Sequence, residues 1–393
     1  MTKNAEAIEA IEVVDVVEFS GTTLEGTEEF ALGMRELRRR LAPVRHWHQA
    51  AIDALTPADF ALRNDAHWVL VLLNPAILIS NNLLAELIAV SAAGAACALP
   101  ADPRGFRPGI SLDYASRPGF DRFVTRLECG PRAQAYDQRE PWIYLVSGEA
   151  LAKLGANRQA LSWRQVPALL EARTVIAQRA FIHSYTDYHL NTRSEMLRLL
   201  PNDIGTLLDV GGGSGNFARA FMVDRGGRAT LVESNPRAAA LARAQGVDVL
   251  EGSFHSLPVT DLYDAVALLD VLEHLADPLA ALRKAHRVLR PDGVLLLSVP
   301  NVGHWSVVWD LLEGRFDYQP AGILCNTHLR FFTRHGLETL LADAGFRVER
   351  WENLPSQPPE AFAAFLERQA TPGVAPDLES LVTESFHLLA RRA

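Results

Sequence analysis

The sequence predicts an α/β protein whose C-terminal half forms a doubly wound sheet. Strand-like and helix-like segments alternate from Gly205 to the C-terminus, the pattern of a sheet covered by helices on both faces. A glycine-rich turn, 211–215, joins the first of these strands to a helix, and the turn signal Pro291-Asp292-Gly293 ends the clearest helix. The chain has 393 residues and exceeds the usual size of one hydrophobic core, so we expect two domains.

Composition and charge are those of an ordinary globular protein. Hydrophobic residues make up 48% of the chain, charged residues 22%, and the formal net charge is -9. This balance argues against binding nucleic acid or anionic membranes through a general basic field. One basic cluster, Arg35, Arg38, Arg39 and Arg40, stands out, and we favour a solvated helix face over an anion site for it.

Cysteine use and the N-terminus favour a cytoplasmic location. Cys97, Cys129 and Cys325 lie far apart without any C-x-x-C spacing, so neither a disulfide framework nor a zinc site is indicated. Met1 to Asp15 is acidic and lacks an apolar export segment. No span has the length and apolar character of a transmembrane helix.

Seven strands are predicted in the C-terminal half, with helices between them. Ligands bind at the carboxyl ends of the strands in open sheets of this type, so we expect the functional residues just after each strand. The clearest helix runs from Pro278 to Leu289. The predicted strands are 206–210, 228–233, 247–251, 264–270, 293–298, 346–351 and 385–391.

The glycine-rich turn indicates the kind of ligand. A dinucleotide fingerprint, G-x-G-x-x-G, would need a third glycine at Asn216. The pattern Asp-x-Gly-x-Gly-x-Gly fits instead, with Asp209, Gly211, Gly213 and Gly215. It resembles the first motif of class I S-adenosylmethionine (SAM)-dependent methyltransferases, whose acidic residue and glycines surround the methionine part of the cofactor. The resemblance implies a seven-stranded Rossmann-like methyltransferase sheet and SAM as the cofactor.

Residues after the next two strands fit the same family in part. Glu233 ends the second strand, where the resemblance implies a carboxylate that accepts both ribose hydroxyls; capping of the next helix is the alternative. After the third strand the family commonly has Gly-Asp, and this chain has Gly252-Ser253. A hydroxyl accepts the hydrogen bond of the adenine amino group more weakly than a carboxylate does, so the contact of Ser253 is weaker.

The fourth strand leads into a segment similar to many methyltransferases of small molecules. The resemblance places Asp270 near the sulfonium, whose positive charge favours a carboxylate. His274 is a candidate general base, because its unperturbed pKa near 6.5 suits proton removal at neutral pH. Orientation of a loop by Glu273 and His274 is an equal alternative.

An insertion between the fifth and sixth strands, residues 299–334, is predicted to form the acceptor pocket. Its sequence resembles methyltransferases of surface-polysaccharide and secondary-metabolite clusters, which are often fused to glycosyltransferase domains. That resemblance covers roughly residues 183 to 350 and implies a lid helix carrying Tyr185, Tyr188 and Arg193 over the cofactor. The insertion is rich in aromatic side chains, namely His304, Trp305, Trp309, Phe316, Tyr318, Phe331 and Phe332.

Three residues of the insertion are candidates for acceptor contact or proton removal: His304, His328 and Arg330. Each is equally compatible with a packed structural role. Before Thr327 the family pattern has an Asp-Arg pair, whereas this chain has Cys325-Asn326, which implies changed acceptor chemistry.

The N-terminal region, residues 1–165, resembles a GT-A glycosyltransferase of family 2 over residues 67–103 and 114–150. The aspartate-rich metal motif of that fold is replaced by Leu73-Asn74-Pro75-Ala76. We therefore predict a degenerate, non-transferring α/β domain there, followed by a helical bridge and lid over 166–200 and a methyltransferase domain over 201–393.

These observations predict an enzyme that transfers a methyl group from SAM to a sugar-like or other small polar acceptor. A hydroxyl is favoured over an amine, and polysaccharide or natural-product biosynthesis is the expected context. No metal is predicted, because the His, Asp and Cys residues near the site show none of the usual ligand spacings. A bifunctional glycosyltransferase/methyltransferase and a non-catalytic scaffold are the rivals. A homo-oligomer through the N-terminal domain is expected.

Overall fold

The computed structural model describes residues 14–20, 28–41, 44–51, 55–63, 67–73, 77–102, 117–127, 130–156, 161–184, 192–319, 322–368 and 377–393. The chain divides into two compact units. The N-terminal unit comprises residues 1–112 and 120–186, and the C-terminal unit comprises residues 113–119 and 187–393.

The first half of the chain alternates between strands and helices. Its strands are β1 (Val14–Ser20), β2 (His46–Ala51), β3 (Trp68–Leu72), β4 (Ile77–Ile79), β5 (Cys97–Ala101), β6 (Ala133–Ala135), β7 (Ile143–Ser147) and β8 (Thr174–Ser184). Its helices are α1 (Glu28–Leu41), α2 (Pro57–Arg63), α3 (Leu83–Ala92), α4 (Arg117–Leu127), α5 (Gly148–Ala156) and α6 (Val166–Leu169), with 3-10 turns at Trp163–Gln165 and Glu171–Arg173.

These strands form one mixed sheet in the order β2-β1-β3-β7-β5-β8-β4, and β6 pairs with β8. Strands β1, β2 and β3 are mutually parallel, and β7 runs antiparallel between β3 and β5. Every residue of β3 is buried, as expected for a central strand covered on both faces.

The predicted helical bridge over 166–200 is wrong for Thr174–Ser184, which form the long strand β8. This strand pairs with β5 on one side and with β4 and β6 on the other. Its β-branched start, Thr174-Val175-Ile176, favours an extended chain, and pairing on both sides fixes it. Among the described residues of this segment, helix occurs at Val166–Leu169 and Ser194–Leu199.

The second half of the chain contains the predicted seven strands, and the observed bounds agree with the predicted ones within a few residues. The strands are β9 (Thr206–Val210), β10 (Arg228–Glu233), β11 (Asp248–Glu251), β12 (Tyr263–Leu269), β13 (Leu289–Pro300), β14 (Phe346–Pro355) and β15 (Thr383–Arg392). The helices are α7 (Ser194–Leu199), α8 (Asn216–Arg225), α9 (Pro236–Ala244), α10 (Pro278–Val288), α11 (Trp305–Leu312), α12 (Arg334–Asp343), α13 (Glu360–Arg368) and α14 (Leu378–Leu381), with a 3-10 turn at Leu272–His274.

The strand order of this second sheet is β11-β10-β9-β12-β13-β15-β14. Strands β9 to β13 are parallel, and β15 runs antiparallel between β13 and β14. The strand order reverses between β9 and β12, and such a switch point opens a crevice at the carboxyl ends of the strands. The doubly wound α/β sheet predicted from the sequence is therefore confirmed.

The turn predicted at Pro291-Asp292-Gly293 becomes a bulge within β13. Pairing with β12 moves from Tyr263↔Leu289 directly to Ala265↔Val294, so the extra residues lie on β13. A Cβ atom on Gly293 would lie 2.9 Å from the Leu289 side chain, which explains the glycine at this bend.

Both faces of the second sheet are covered by apolar packing. On one face Leu208, Val266 and Leu297 contact helices α10 and α12; on the other, Leu207 and Ala265 contact α8. This alternation follows the two-residue period of a strand. Among the described residues, none of the helices has the length and apolar character that crossing a membrane requires.

Candidate active site

The glycine-rich loop lies at the carboxyl end of β9, where it joins α8. Gly213 has a φ of +58°, and a Cβ atom there would meet no protein atom within 4 Å. The loop is therefore open on this side, so a ligand can approach the backbone closely. The Gly213 amide donates a 2.9 Å hydrogen bond to Glu233 Oε2, which ties the loop to β10.

Asp209 lies behind the loop and supports it. The side chain is buried, and a Cβ atom on Gly212 would lie only 2.1 Å from Asp209 Oδ2. Burial, together with the nearby charge of Glu233, raises the pKa of Asp209 to about 7, while the Ala218 amide of α8 donates to its carboxyl group. The sequence predicted a cofactor ligand at Asp209, and the structure gives this carboxyl group contacts with the loop and helix. Sequence reasoning missed Gly212, although it stands in the same glycine run.

Glu233 ends β10 beside the open face of the loop. Its Oε1 accepts from the Asn235 amide at 2.7 Å, and its Oε2 accepts from Gly213. A carboxylate has about four lone-pair sites, so two remain for ribose hydroxyls. Burial raises the pKa of this group, and a ligand that donates hydrogen bonds would stabilise the charged form. The capping role left open by the sequence belongs to Asn235, whose side chain caps α9.

Ser253 lies at the same edge, after β11. The residue is exposed, and its hydroxyl accepts from the His255 amide at 3.3 Å while its carbonyl accepts from Leu257. Its side chain thus caps its own turn, and the contact with adenine stays a prediction. Tyr185 and Tyr188 lie outside the described residues.

A cluster of polar side chains joins α7 to the ends of β12 and β13. The Arg193 guanidinium lies 2.6 Å from Asp270 Oδ2 and 3.0 Å from Ser298 Oγ, and Ser298 Oγ donates to Asp270 Oδ1 at 2.7 Å. Arg193 also donates to Glu195. Burial raises the pKa of Asp270 to about 6, and the Ser298 hydrogen bond acts against that rise. Sequence reasoning missed Ser298, whose signal was a polar residue near the end of a buried strand.

Glu273 is a deeply buried acid of this region. Its side chain is 1% exposed, and no hydrogen-bond partner reaches Oε2. Burial, together with the charge of Asp270, raises the pKa of Glu273 well above its ordinary value. Its backbone carbonyl accepts from the Leu329 and Arg330 amides, which attaches the insertion to the end of β12.

His274 and His328 stand beside Glu273. Their ring centroids are 4.8 Å apart at 82°, and each of the three residues offers a ligand atom within 4.8 Å of the others. His328 Nδ1 lies 2.9 Å from the carbonyl oxygen of Ile323, so this nitrogen carries the proton of the neutral ring and Nε2 carries the lone pair. The sequence could not predict this group, because residues 274 and 328 are brought together only by the fold. It can transfer a proton or bind a cation.

The aromatic side chains of the insertion separate into two sets. Trp305 and Trp309 pack against Phe362 of α13, and Trp305 Nε1 donates to the Ser356 carbonyl oxygen at 2.9 Å. Phe332 is part of the hydrophobic core. The second set forms an edge-to-face cluster next to His328, and it consists of Phe316, Tyr318 and Phe331. The side chains of this second set are partly exposed.

Two candidates of the insertion have local contacts. His304 is buried and caps α11, where its Nδ1 accepts from the Ser306 amide. Burial lowers the pKa of His304 to about 3, which favours a structural role over proton removal. Arg330 is exposed and donates to the carbonyl oxygen of Ala276. Asn301, a buried residue that sequence reasoning missed, holds the start of the insertion by donating to the Ser380 and Thr383 carbonyl oxygens at 2.7 Å.

The arrangement fits a sulfonium nucleoside. The open loop at Gly213, the remaining acceptor sites of Glu233 and the acid at Asp270 lie at the ends of adjacent strands β9, β10 and β12. Such a site offers backbone approach, ribose recognition and negative charge near a cation.

Comparisons with known proteins agree with this geometry. Residues 183–350 match the family model of a methyltransferase domain. The chain is 33% identical over 185 residues to an uncharacterized 37.1 kDa protein in transposon Tn4556 of Streptomyces fradiae, which covers 42% of this chain and 50% of that protein. It is 28% identical over 165 residues to a ubiquinone biosynthesis O-methyltransferase of Xylella fastidiosa, covering 37% and 66%. The chain thus spans half to two thirds of the length of these curated relatives.

Among solved structures, a S-adenosylmethionine dependent methyltransferase from Mesorhizobium loti is 18% identical, with a TM-score of 0.36, covering 51% of this chain and 96% of that one. The family match indicates a methyltransferase domain over residues 183–350, and the name of the Xylella fastidiosa relative agrees with it.

Proposed function

We propose that the protein transfers the methyl group of SAM to a hydroxyl group of a small acceptor. The observation that carries this proposal is the convergence of the open glycine loop, Glu233 and the Arg193–Asp270 pair at the carboxyl edge of one sheet. When bound, SAM supplies an activated methyl group on a sulfonium. The protein then mainly has to align the acceptor oxygen with that methyl group, and such positioning accounts for much of the acceleration.

The chain's own residues divide this work. Glu233 binds the ribose, and the loop at Gly213 lets the cofactor approach the backbone. Asp270 provides negative charge beside the sulfonium, and Arg193 fixes the orientation of that carboxylate. Ser298 holds the second oxygen of Asp270.

Proton removal from the acceptor hydroxyl falls to His274 or His328. The neutral His328 ring presents a lone pair at Nε2, as a base requires, because Nδ1 donates to Ile323. Burial keeps Glu273 protonated more readily than an exposed acid, and its carboxyl group lies within 4.8 Å of ring nitrogens of both histidines. His304 and Arg330 stay predicted candidates for acceptor contact or proton removal, and their local contacts make them less favoured than the other two residues.

The partly exposed cluster of Phe316, Tyr318 and Phe331 supports an acceptor that presents a ring to these faces, such as a sugar or another cyclic polyol. A hydroxyl acceptor agrees with the name of the Xylella fastidiosa relative, an O-methyltransferase. Polysaccharide and natural-product biosynthesis remain the expected contexts.

The topology of the N-terminal unit is the observation that supports a glycosyltransferase-like domain. Its mixed sheet places antiparallel β7 between parallel β3 and β5. The position of the missing aspartate-rich motif, 74–76, lies outside the described residues. We propose a non-transferring domain, and a metal-dependent thermal shift with a sugar nucleotide would favour the bifunctional enzyme instead. The cytoplasmic location and the homo-oligomer stay predictions.

Transfer of radiolabelled methyl groups from SAM to a panel of sugars, polyols and phenols tests the proposed function. We expect label in at least one hydroxyl acceptor and lower transfer in the Glu233→Ala variant. Retention of full transfer in Glu233→Ala would contradict the assigned site. Failure of the chain to bind SAM would contradict the function itself.

A further inference from the structure

A buried acid at the start of the first strand of the N-terminal unit faces two histidines of the neighbouring strand. Asp15 of β1 pairs in parallel register with His46 of β2, and His48 follows two residues later on the same face. The Asp15 side chain is 0% exposed, whereas those of His46 and His48 are 57% and 32% exposed. The group therefore combines one buried carboxylate with two partly exposed imidazole rings.

The ligand atoms of this group lie close enough together for one cation to contact all three residues. Asp15 Oδ1 lies 3.2 Å from His46 Nδ1, and Asp15 Oδ2 lies 3.7 Å from His48 Nε2. All three ligand atoms fall within 4.8 Å of one another. Zinc bonds of about 2.0–2.2 Å in a tetrahedral site place neighbouring ligand atoms roughly 3.3–3.6 Å apart.

Two atoms of the group are buried without a hydrogen-bond partner, Asp15 Oδ2 and His48 Nε2. A buried carboxylate oxygen without a partner is costly, so such an atom calls for an explanation. Because these two atoms face each other across 3.7 Å, one cation between them would satisfy both. The ring of His48 packs edge-on against Phe60, with 5.1 Å between the ring centroids. This contact limits rotation of the His48 ring away from its position.

Arg45 is the competing cation. Its Nε lies 3.6 Å from Asp15 Oδ1 and donates to His46 Nδ1 at 3.2 Å. This guanidinium partly neutralises Asp15 on the Oδ1 side only, and its side chain is 30% exposed, so it can turn toward solvent. It leaves the Oδ2 side of the pocket to another positive charge.

We propose that Asp15, His46 and His48 bind a divalent first-row transition metal ion, with zinc as the expected occupant. Two imidazole nitrogens and one carboxylate suit zinc better than magnesium or calcium, which prefer oxygen ligands. Three protein ligands leave a coordination position on the solvent side. No sequence pattern links Asp15 to the two histidines, since Asp15 and His46 are 31 residues apart. The inference concerns the N-terminal unit and does not rest on the proposed methyl transfer.

Calorimetric titration of the full, EDTA-treated chain with Zn²⁺ tests the site, with Co²⁺ absorption as a second probe of the ligand set. We expect His46→Ala and His48→Ala each to weaken Zn²⁺ binding at least about tenfold. His46 is exposed, so its variant should fold normally. Arg45→Gln should tighten Zn²⁺ binding, because it removes the competing cation. His335→Ala, an exposed histidine of α12, serves as the matched control and should leave the affinity unchanged.

Glu273, His274 and His328 form another potential ligand set, so the double variant His274→Ala/His328→Ala is measured alongside. Retained Zn²⁺ binding in this variant supports the proposal. Equal Zn²⁺ binding by the wild type and by His46→Ala/His48→Ala would overturn it. Weaker binding in Arg45→Gln would also overturn it, since the arginine would then be part of the site.

Discussion

The guanidinium of Arg193 lies 2.6 Å from Asp270 Oδ2, and both residues adopt the left-handed backbone region, with φ of +50° and +55°. Such backbone strain costs on the order of 1–3 kcal/mol per residue and persists where the surroundings hold it in place. Here Arg193 is the N-cap residue of α7 and Asp270 directly follows β12, so the ion pair fixes a helix to the switch point of the sheet. We infer that this strained pair shapes the cofactor end of the site.

Arg193→Ala should destabilise the protein and weaken binding of S-adenosylhomocysteine. Loss of the guanidinium leaves Asp270 with Ser298 as its remaining hydrogen-bond partner among those described above, and removing a charged hydrogen bond costs about 1.5–3 kcal/mol. Urea denaturation and calorimetry measure the two effects. Arg198→Ala, an exposed arginine of α7, is the control. Equal losses in both variants would contradict the assigned role.

Gly212→Ala should disrupt the glycine loop, although residue 212 needs no left-handed backbone. The added methyl group would lie 2.1 Å from Asp209 Oδ2 and 2.5 Å from its Cγ, and such overpacking costs about 1–3 kcal/mol. Gly246→Ala provides the comparison, because its Cβ meets open space and only its φ of +82° is strained. The double variant Asp209→Ala/Gly212→Ala should recover part of the loss. Strict additivity of the two single effects in urea denaturation would argue against the contact.

Asp209→Asn should change the pH dependence of stability. Burial raises the pKa of Asp209 to about 7, so the folded protein holds this proton more tightly than the unfolded chain, whose aspartate pKa is about 3.9. The contribution of protonated Asp209 to the free energy of unfolding is therefore fully present below about pH 4, and it is lost as the pH rises to about 7. Relative to wild type, the Asn variant should gain stability over that range and then level off. Urea denaturation at several pH values measures this, and a constant difference would contradict it.

Trp305→Phe should destabilise the protein without affecting cofactor binding. The substitution removes the 2.9 Å hydrogen bond to the Ser356 carbonyl oxygen, which costs about 1–3 kcal/mol at a buried site. Trp309→Phe removes an exposed hydrogen bond to Glu313 and should cost much less. Thermal denaturation separates the two variants. A large effect of Trp305→Phe on cofactor affinity would mean that this part of the insertion lines the site.

The sequence predicted the second sheet well because its strands carry strong local signals. The apolar runs ending at Val210, Val232 and Leu269 are each followed by a glycine or an acidic residue. The long strand β8 was missed because its residues alone do not specify pairing, which comes from β4, β5 and β6. Tertiary context overrides local propensity in such segments.

The sequence predicted which candidate residues stand at the ends of strands, but it did not predict the contacts between them. Glu233 and Asp270 were placed correctly at strand ends, since parallel strands bring their carboxyl ends to one edge. The meeting of Arg193 with Asp270, 77 residues apart, depends on the fold and on strained backbone, neither of which a pattern shows. The burial of Glu273 and its proximity to His328 likewise depend on the fold, so no sequence pattern shows them.

Calorimetric titration of the chain with S-adenosylhomocysteine tests the central claim most directly. The account predicts binding of one nucleoside per chain, with an affinity at least about tenfold lower in Glu233→Ala, because the loss of a charged hydrogen-bond acceptor costs about 1.5–3 kcal/mol. Arg198→Ala should bind like the wild type. Absence of binding by the wild type, or binding that Glu233→Ala leaves unchanged, would contradict the account.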